Sequence, residues 1–361
     1  MADKHYRAGA IGRTGQGNFG HGLHLPYRNI DCVDMIAVAD PDAAGRDKAM
    51  ASAGAQRAYA DYREMLEKED LDIVSVCPRW VDCHEEVIIA CVEAGCHVYA
   101  EKPLAMDLAS ADRIVAAAER NDRKIAVAHQ AVYLGQMQAT RDMVQNGRIG
   151  KLLSMQAIGK QDHRGGGEDM MVLGTHLFNM MRFFCGDPIW MTARVMVGDR
   201  EIIPDDIREA NEPIGRIAGD NIVSLFSFSN GVDGAFVSRT NQAGKGQGYG
   251  LVLVGESGRI AINGGGDQIT IHDDGIWAPW AGDHAWTSLG LAAEPLQEAG
   301  NRQAILNLID SMENDREPIS SVRDARWALE MILGAYASQI SQARVIFPIG
   351  TRSHPLEDWG V

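Results

Sequence analysis

Between Arg7 and Gln130, short apolar runs alternate with longer segments of helical pattern, and this alternation restricts the fold more than any other feature of the chain. MIAVAD (35–40), DIVSVCP (72–78), HVYA (97–100) and KIAVAH (124–129) are apolar on both faces along their centres, whereas EEVIIACVEAG and SADRIVAAAERN repeat apolar residues at helical spacing. Strands with two apolar faces need cover on both sides, which a parallel sheet wound with helices provides. Residues 1–130 are therefore expected to form a doubly wound α/β domain of the Rossmann type.

The character changes after Gly150. SLFSFSNGVDGAFVSR places Asn230-Gly231 between two β-rich runs, and LVLVGESGRIAI places Ser257-Gly258 similarly; both are hairpin signals. Helical pattern returns over 302–314 and 324–340. At 361 residues the chain exceeds the usual ~100–200 residues per domain. Residues 131–361 are expected to form a second, α+β domain with an open, mainly antiparallel sheet.

The stretch RAGAIGRTGQGNFGHG holds Gly15, Gly17 and Gly20 in G-x-G-x-x-G spacing, with Gly12 at the end of an apolar run and Arg13 just inside the loop. Such glycines permit a tight turn and let backbone N–H groups approach a pyrophosphate at a helix N-terminus. Pro26 cannot sit deep inside the helix that would follow. Asp40 lies 20 residues past Gly20 at the end of MIAVAD; an acid there accepts hydrogen bonds from ribose hydroxyls and repels a 2′-phosphate, so NAD is favoured over NADP. Pro78, closing DIVSVCP, is placed with the cofactor as well.

A net charge of −15 and a pI near 5.1, with no cluster of lysine and arginine, argue against nucleic acid or anionic lipid as partner. No apolar run approaches the ~20 residues that span a bilayer, and the start MADKHYRAGAIG does not read as a secretory signal. Six cysteines form no CxxC pair and read as free thiols in a reducing cytoplasm. No metal-binding pattern is present.

CHVYAEKPLA (96–105) ends an apolar run on Glu101, Lys102 and Pro103. Ligands of open parallel sheets bind beyond the carboxyl ends of the strands, which places Glu101 and Lys102 toward the cofactor. With this block the chain resembles the Gfo/Idh/MocA oxidoreductases. The likeness takes in the glycine loop, VADPD (38–42), the stretch from Val76 to Ala105, RGGGEDMMVLGTHLFNMMRFFCG (164–186) and a last helix running into ARVIFP. The resemblance implies that Lys102 is the active-site lysine, that the bond to Pro103 is cis, and that Glu101 orients the cofactor or the lysine. A lysine partly desolvated near a nicotinamide can exchange a proton with a substrate hydroxyl.

The family carries D-x-G-x-H on the helix that presents its histidine. Here VLGTH keeps Gly174 and His176 and has Val172 where the aspartate stands. Residues 169, 172 and 176 would share one face of an α-helix, which makes Asp169 a candidate replacement; an N-cap role after the three glycines is the other reading. KQDHRGGGED suits several hydroxyls at once through Asp162, His163 and Arg164, and the family places Gln130 against substrate. The tryptophans of WAPWAGDHAW (277–286), with His284, either stack on a sugar or fill a core or interface.

These residues are expected to make an NAD-dependent dehydrogenase acting on a secondary alcohol of a sugar, glycoside or cyclitol, with Lys102 and His176 sharing the proton work. A lyase or glycosidase using transient oxidation and a non-catalytic NAD-binding sensor are the alternatives. The resemblance further implies a homo-oligomer, dimer or tetramer, paired through the open sheet.

Overall fold

The structure, a computed structural model, describes residues 5–242, 248–273 and 285–360. Its chain divides into two compact units: Met1–Tyr133 with Glu212–Ile214 and Gln297–Arg326, and Leu134–Asn211 with Gly215–Leu296 and Trp327–Val361. Residues 297–326, placed with the second domain by the sequence reading, join the first. Asn301 shows why: its amide oxygen accepts from the Tyr99 hydroxyl at 2.7 Å and its nitrogen donates to the carbonyl of His21 at 2.9 Å.

In the first unit, β1 (Tyr6–Ile11), β2 (Val33–Ala39), β3 (Arg57–Tyr59), β4 (Ile73–Val76), β5 (His97–Ala100) and β6 (Ile125–Val127) form one parallel sheet in the order β3-β2-β1-β4-β5-β6. Helices α1 (Ala43–Ala53), α2 (Tyr62–Lys68), α3 (His84–Glu93) and α4 (Leu108–Arg120) connect its strands. Asp42, Asp61 and Asp107 start α1, α2 and α4 by accepting a first-turn backbone N–H, which satisfies donors the helix cannot. On α4, Leu108, Ala111, Ile114, Ala117 and Ala118 are buried, the stripe expected of a helix lying on a sheet.

Register then fixes the working edge. Ile11 pairs with Ala39 and Val76, Val76 with Ala100, and Ala100 with Val127. The strands therefore end in line, and Gly12, Asp40, Cys77 and Glu101 each lie one residue beyond that line. One difference from expectation follows the glycine loop. No α-helix opens there; 3-10 turns at Gly20–Gly22 and Pro26–Asn29 take its place. Asn18 and His21 adopt left-handed conformations, and Pro26 supplies no N–H, so a continuous helix cannot form.

The second unit opens with α5 (Gly135–Gln145) and β7 (Leu152–Ile158). A helical segment follows: α6 (Gly167–Asp169), a π-helical turn Met170–Gly174, and α7 (Thr175–Cys185). Its sheet comprises β7, β8 (Pro188–Val197), the short β9 (Arg200–Glu201), β12 (Asn221–Phe228), β13 (Asp233–Arg239), β14 (Gly250–Gly255), β15 (Arg259–Asn263), β16 (Gln268–His272), β17 (Thr287–Ser288) and β18 (Val345–Ile346). A separate pair joins β10 (Arg208–Glu209) to β11 (Arg216–Ile217). The large sheet runs β17-β16-β15-β14-β7-β13-β12-β8-β18 and is antiparallel except between β7 and β13. Both expected hairpins are present, β12–β13 across Asn230-Gly231 and β14–β15 across Ser257-Gly258. Phe178 of α7 lies 5.5 Å from Phe226 and 4.9 Å from Phe236, ring centre to ring centre, so one sheet face is a packed core. Helices α8 (Leu296–Glu313) and α9 (Val322–Ser341) complete the elements, α8 lying almost wholly within the first unit. Among the described residues no helix is long and apolar enough to cross a membrane, and the six cysteines are free.

His24 sets an acid limit on the first unit. Its ring packs at a tilt with its centre 4.7 Å from that of Phe19, and burial lowers its pKa from 6.5 to about 4. Below pH 6.5 the unfolded chain takes up a proton that the folded chain refuses. The stabilisation is therefore complete above pH 6.5 and lost as pH falls toward 4, by about 3 kcal/mol. Denaturant melts from pH 7 to 4.5 should show this decline, and His24→Asn should make it shallower, the remainder coming from His97, whose pKa burial also lowers to about 4; an identical slope in the variant would show that His24 does not titrate this way.

Candidate active site

A cavity of about 470 Å³ opens at the carboxyl ends of β1, β2 and β4, with Gly12, Arg13, Asp40, Pro78 and Asp82 in its wall. Asp40 is fully buried. Its carboxylate accepts the Thr14 N–H at 3.0 and 3.2 Å, the Thr14 hydroxyl at 2.7 Å and the Asp42 N–H at 2.9 Å. This bonding fixes the acid to the glycine loop. Each carboxylate oxygen has two lone pairs, so capacity remains for a ribose hydroxyl.

The loop itself is a closed turn. The Arg13 carbonyl accepts from Gln16 N at 2.9 Å and Asn18 N at 3.0 Å, and Asn18 Oδ1 accepts from Gly15 N at 2.9 Å. The helix N-terminus expected behind this loop is corrected here, since 3-10 turns follow it; the amides of Gly15, Gln16 and Asn18 bond within the loop. Arg13 donates to both Asp82 oxygens at 3.0 and 2.9 Å, which ties the loop to the segment before α3. Gly20 is needed for close approach, since a Cβ there would lie 2.8 Å from Glu101 Oε1 and 2.8 Å from the Cys77 carbonyl.

At the end of β5, Glu101 is fully buried and Lys102 is 4% exposed. Glu101 Oε1 lies 2.6 Å from His21 Nδ1, and Oε2 accepts the backbone N–H of Lys102 at 3.1 Å. The Lys102–Pro103 bond is cis. The buried His84 ring spans two loops, with Nδ1 at 2.9 Å from the Pro103 carbonyl and Nε2 at 2.7 Å from that of Pro78. Pro78 is thereby bound to the E-K-P turn. Gln130, 3% exposed just past β6, has a side-chain nitrogen without a hydrogen-bond partner among the described residues. An unsatisfied buried donor costs about 1–3 kcal/mol, and a ligand oxygen would relieve it.

The site fits a dinucleotide on three counts: the cavity lies at the strand ends, an acid sits past β2, and Gln130 holds a donor in reserve. Among the described residues no cluster of three or more histidine, cysteine or acidic side chains is gathered for a metal.

In the second unit, Asp169 is fully buried inside the helical segment. Its carboxylate accepts from the Ser238 hydroxyl at 2.5 Å and from the backbone N–H groups of Lys160 and Gln161, each at 3.3 Å. Burial pushes its carboxyl up, against the pull of those bonds. Asp169 thus holds the loop that follows β7, and its side chain does not cap the helix, whose N-cap is Gly166. The π turn holds more residues per turn than an α turn, so 169, 172 and 176 do not share the face expected of them. His176 is half-buried as the second residue of α7, and Val172 is half-buried within the π turn.

Asp162 and Arg164 pair with each other at 3.1 and 2.7 Å, and the guanidinium holds the Asp162 carboxyl well below the usual range. His163 is exposed beside them. Trp277, Trp280 and His284 lie outside the described residues; Trp286 is 43% exposed. Sequence reasoning missed Thr14, Asp82, His84 and Asn301. It also missed His21, whose only signal was its place directly after Gly20.

Comparison with known proteins bears on the family and the fold. Residues 10–129 match the profile of the Gfo/Idh/MocA oxidoreductase family, NAD-binding Rossmann fold, and residues 137–261 that of the Gfo/Idh/MocA C-terminal domain. Myo-inositol 2-dehydrogenase of Thermotoga maritima is 26% identical over 260 residues, covering 69% of this chain and 74% of that protein. A glycosyl hydrolase family 109 protein of Shewanella woodyi is 30% identical over 160 residues, 42% of this chain and only 33% of its own length. Among solved structures, levoglucosan dehydrogenase in complex with NADH and levoglucosan superposes with a TM-score of 0.75 at 17% identity, over 96% of this chain and all of that one (100%), a likeness of fold.

Proposed function

The chain belongs to the Gfo/Idh/MocA oxidoreductases, and from that premise we propose that it is a dehydrogenase for a secondary alcohol of a sugar, glycoside or cyclitol. NAD, held by Gly12, Asp40, Pro78 and the glycine loop, supplies the carbon that takes the hydride. Lys102 carries the reading: a buried lysine at the carboxyl ends of the strands, where ligands of open parallel sheets bind, can exchange a proton with the substrate hydroxyl. His176 is the second proton holder. Gln130 donates to a ligand oxygen, and Asp162, His163 and Arg164 offer donors and acceptors for further hydroxyls. Asp169 supports this loop from beneath.

A panel of polyols, sugars and glycosides incubated with NAD or NADP tests the reading through the absorbance of reduced nicotinamide and product analysis. Reduction with NAD by a cyclitol or sugar is expected. The second reading, a lyase or glycosidase using transient oxidation, is favoured by Val172 in place of the family aspartate and by the local likeness to a glycosyl hydrolase family 109 protein. Bond cleavage without net reduced nicotinamide would establish it. Binding of NAD with neither outcome across the panel would defeat both.

The outward face of the second sheet supports a homo-oligomer. Val223, Ala235 and Val237 are half-exposed on it and Leu225 is 50% exposed, a contiguous apolar surface that a second copy would cover. Leu225→Arg should shift the mass measured by light scattering to that of the monomer; an unchanged mass would place the contact elsewhere.

A further inference from the structure

His21 has no part in the proton transfers proposed above, yet its surroundings are built around it. Its backbone is left-handed, φ 45°, a conformation uncommon for non-glycine residues. It is held by the Asn301 amide, which donates to the His21 carbonyl at 2.9 Å and accepts from the Tyr99 hydroxyl at 2.7 Å. Tyr99 lies on β5 two residues before Glu101, and the His21 ring returns to Glu101 at 2.6 Å. The four residues close a ring: Tyr99, Asn301, His21, Glu101. The glycine before His21 belongs to the same device, because a Cβ at position 20 would lie 2.8 Å from Glu101 Oε1.

The two ends of the Glu101 carboxylate do different things. Oε1 meets His21, and Oε2 accepts the N–H of Lys102. A carboxylate with no exposure needs its hydrogen bonds to stay where it is. With the bond at Oε1 removed, only the Lys102 N–H is left, among the contacts described, to hold the group against turning about its terminal torsion, and that bond is weakened.

We propose that His21 is a positioning residue for Lys102: it fixes the Glu101 carboxylate, which in turn fixes the backbone from which the lysine projects. The proposal rests on the dehydrogenase reading for its kinetic consequence and stands apart from it for its structural one. Asparagine is the conservative variant, since its side-chain nitrogen occupies nearly the position of a histidine Nδ1 and it tolerates the left-handed region. Alanine removes the donor, and glycine removes it while relaxing the backbone.

The test compares His21→Ala, His21→Gly and His21→Asn with the wild-type chain. The first readout is hydrogen exchange at the Lys102 amide, the donor to Glu101 Oε2. Exchange is expected to quicken roughly tenfold or more in the alanine and glycine variants and to stay near wild type with asparagine. The second is kinetic: kcat for the polyol should fall about tenfold or more in the first two variants and recover with asparagine, while the dissociation constant for NADH, read by fluorescence, stays within about threefold. Unchanged Lys102 exchange in both the alanine and glycine variants would overturn the proposal whatever the chain catalyses. Normal exchange and kcat in the glycine variant alone would assign the effect to backbone strain and overturn it equally. Should wild type turn over no polyol, the dehydrogenase reading fails while the exchange experiment still decides the role of His21.

Discussion

Lys102→Met is expected to lower kcat for polyol oxidation by about a thousandfold while leaving NADH affinity within a few-fold of wild type, the range over which a positioned acid or base acts. Methionine keeps the length and apolar stem of lysine, so the 4%-exposed position stays filled and the turn at Pro103 keeps its support from His84. What it lacks is a nitrogen able to exchange a proton. His176→Ala should cost less, about a hundredfold, because a half-buried imidazole can be replaced in part by water. Stopped-flow measurement of the first turnover separates this loss from product release. Retention of wild-type turnover by Lys102→Met, with cofactor bound, would reduce the E-K-P lysine to a structural residue and remove the basis for the dehydrogenase reading.

The parts of this site that were legible in the sequence are those where one residue type answers one physical demand. Runs without a polar face gave the parallel sheet, because only a doubly covered strand tolerates them, and Asn230-Gly231 marked the hairpin between β12 and β13. Asp40 and Lys102 were expected at strand ends, where ligands of an open sheet gather, and β2 and β5 do end just before them. What could not be read depends on partners distant in the chain. Asn301 lies 202 residues from Tyr99, and Ser238 lies 69 residues from Asp169; no local pattern signals either bond.

Local geometry misled the reading in two places. The spacing of 169, 172 and 176 presumes 3.6 residues per turn, whereas the π turn at Met170–Gly174 shifts everything after it, and no composition rule distinguishes the two helices. The glycine loop suggested a helix start, yet the left-handed Asn18 and His21 turn the chain away from one. The same stretch that resembles a standard fingerprint thus acts here through side chains, Asp40 on Thr14 and Arg13 on Asp82, as much as through its backbone.

That difference sets the second large expectation, which contrasts two glycines of one motif. Gly15 and Gly17 both have positive φ, 82° and 95°, so alanine at either adds backbone strain of about 1 kcal/mol. Beyond that they diverge. A Cβ on Gly15 meets nothing within 4 Å, whereas one on Gly17 would lie 2.6 Å from the Trp80 nitrogen and 2.7 Å from the Arg79 nitrogen. Those atoms are backbone and cannot swing aside, so the glycine loop and the segment 78–80 must separate. The bond from Arg79 N to the Gly17 carbonyl, 3.2 Å, breaks as they do, and Pro78 and Arg13 move apart in the cavity wall. Gly17→Ala should therefore weaken NADH binding by about a hundredfold, roughly 3 kcal/mol, and lower the melting temperature by several degrees. Gly15→Ala should change affinity by no more than about fivefold. Fluorescence titration with NADH and parallel thermal melts check both, and equal effects from the two substitutions would mean that strain in the turn, not its contact with residues 78–80, shapes the cofactor groove.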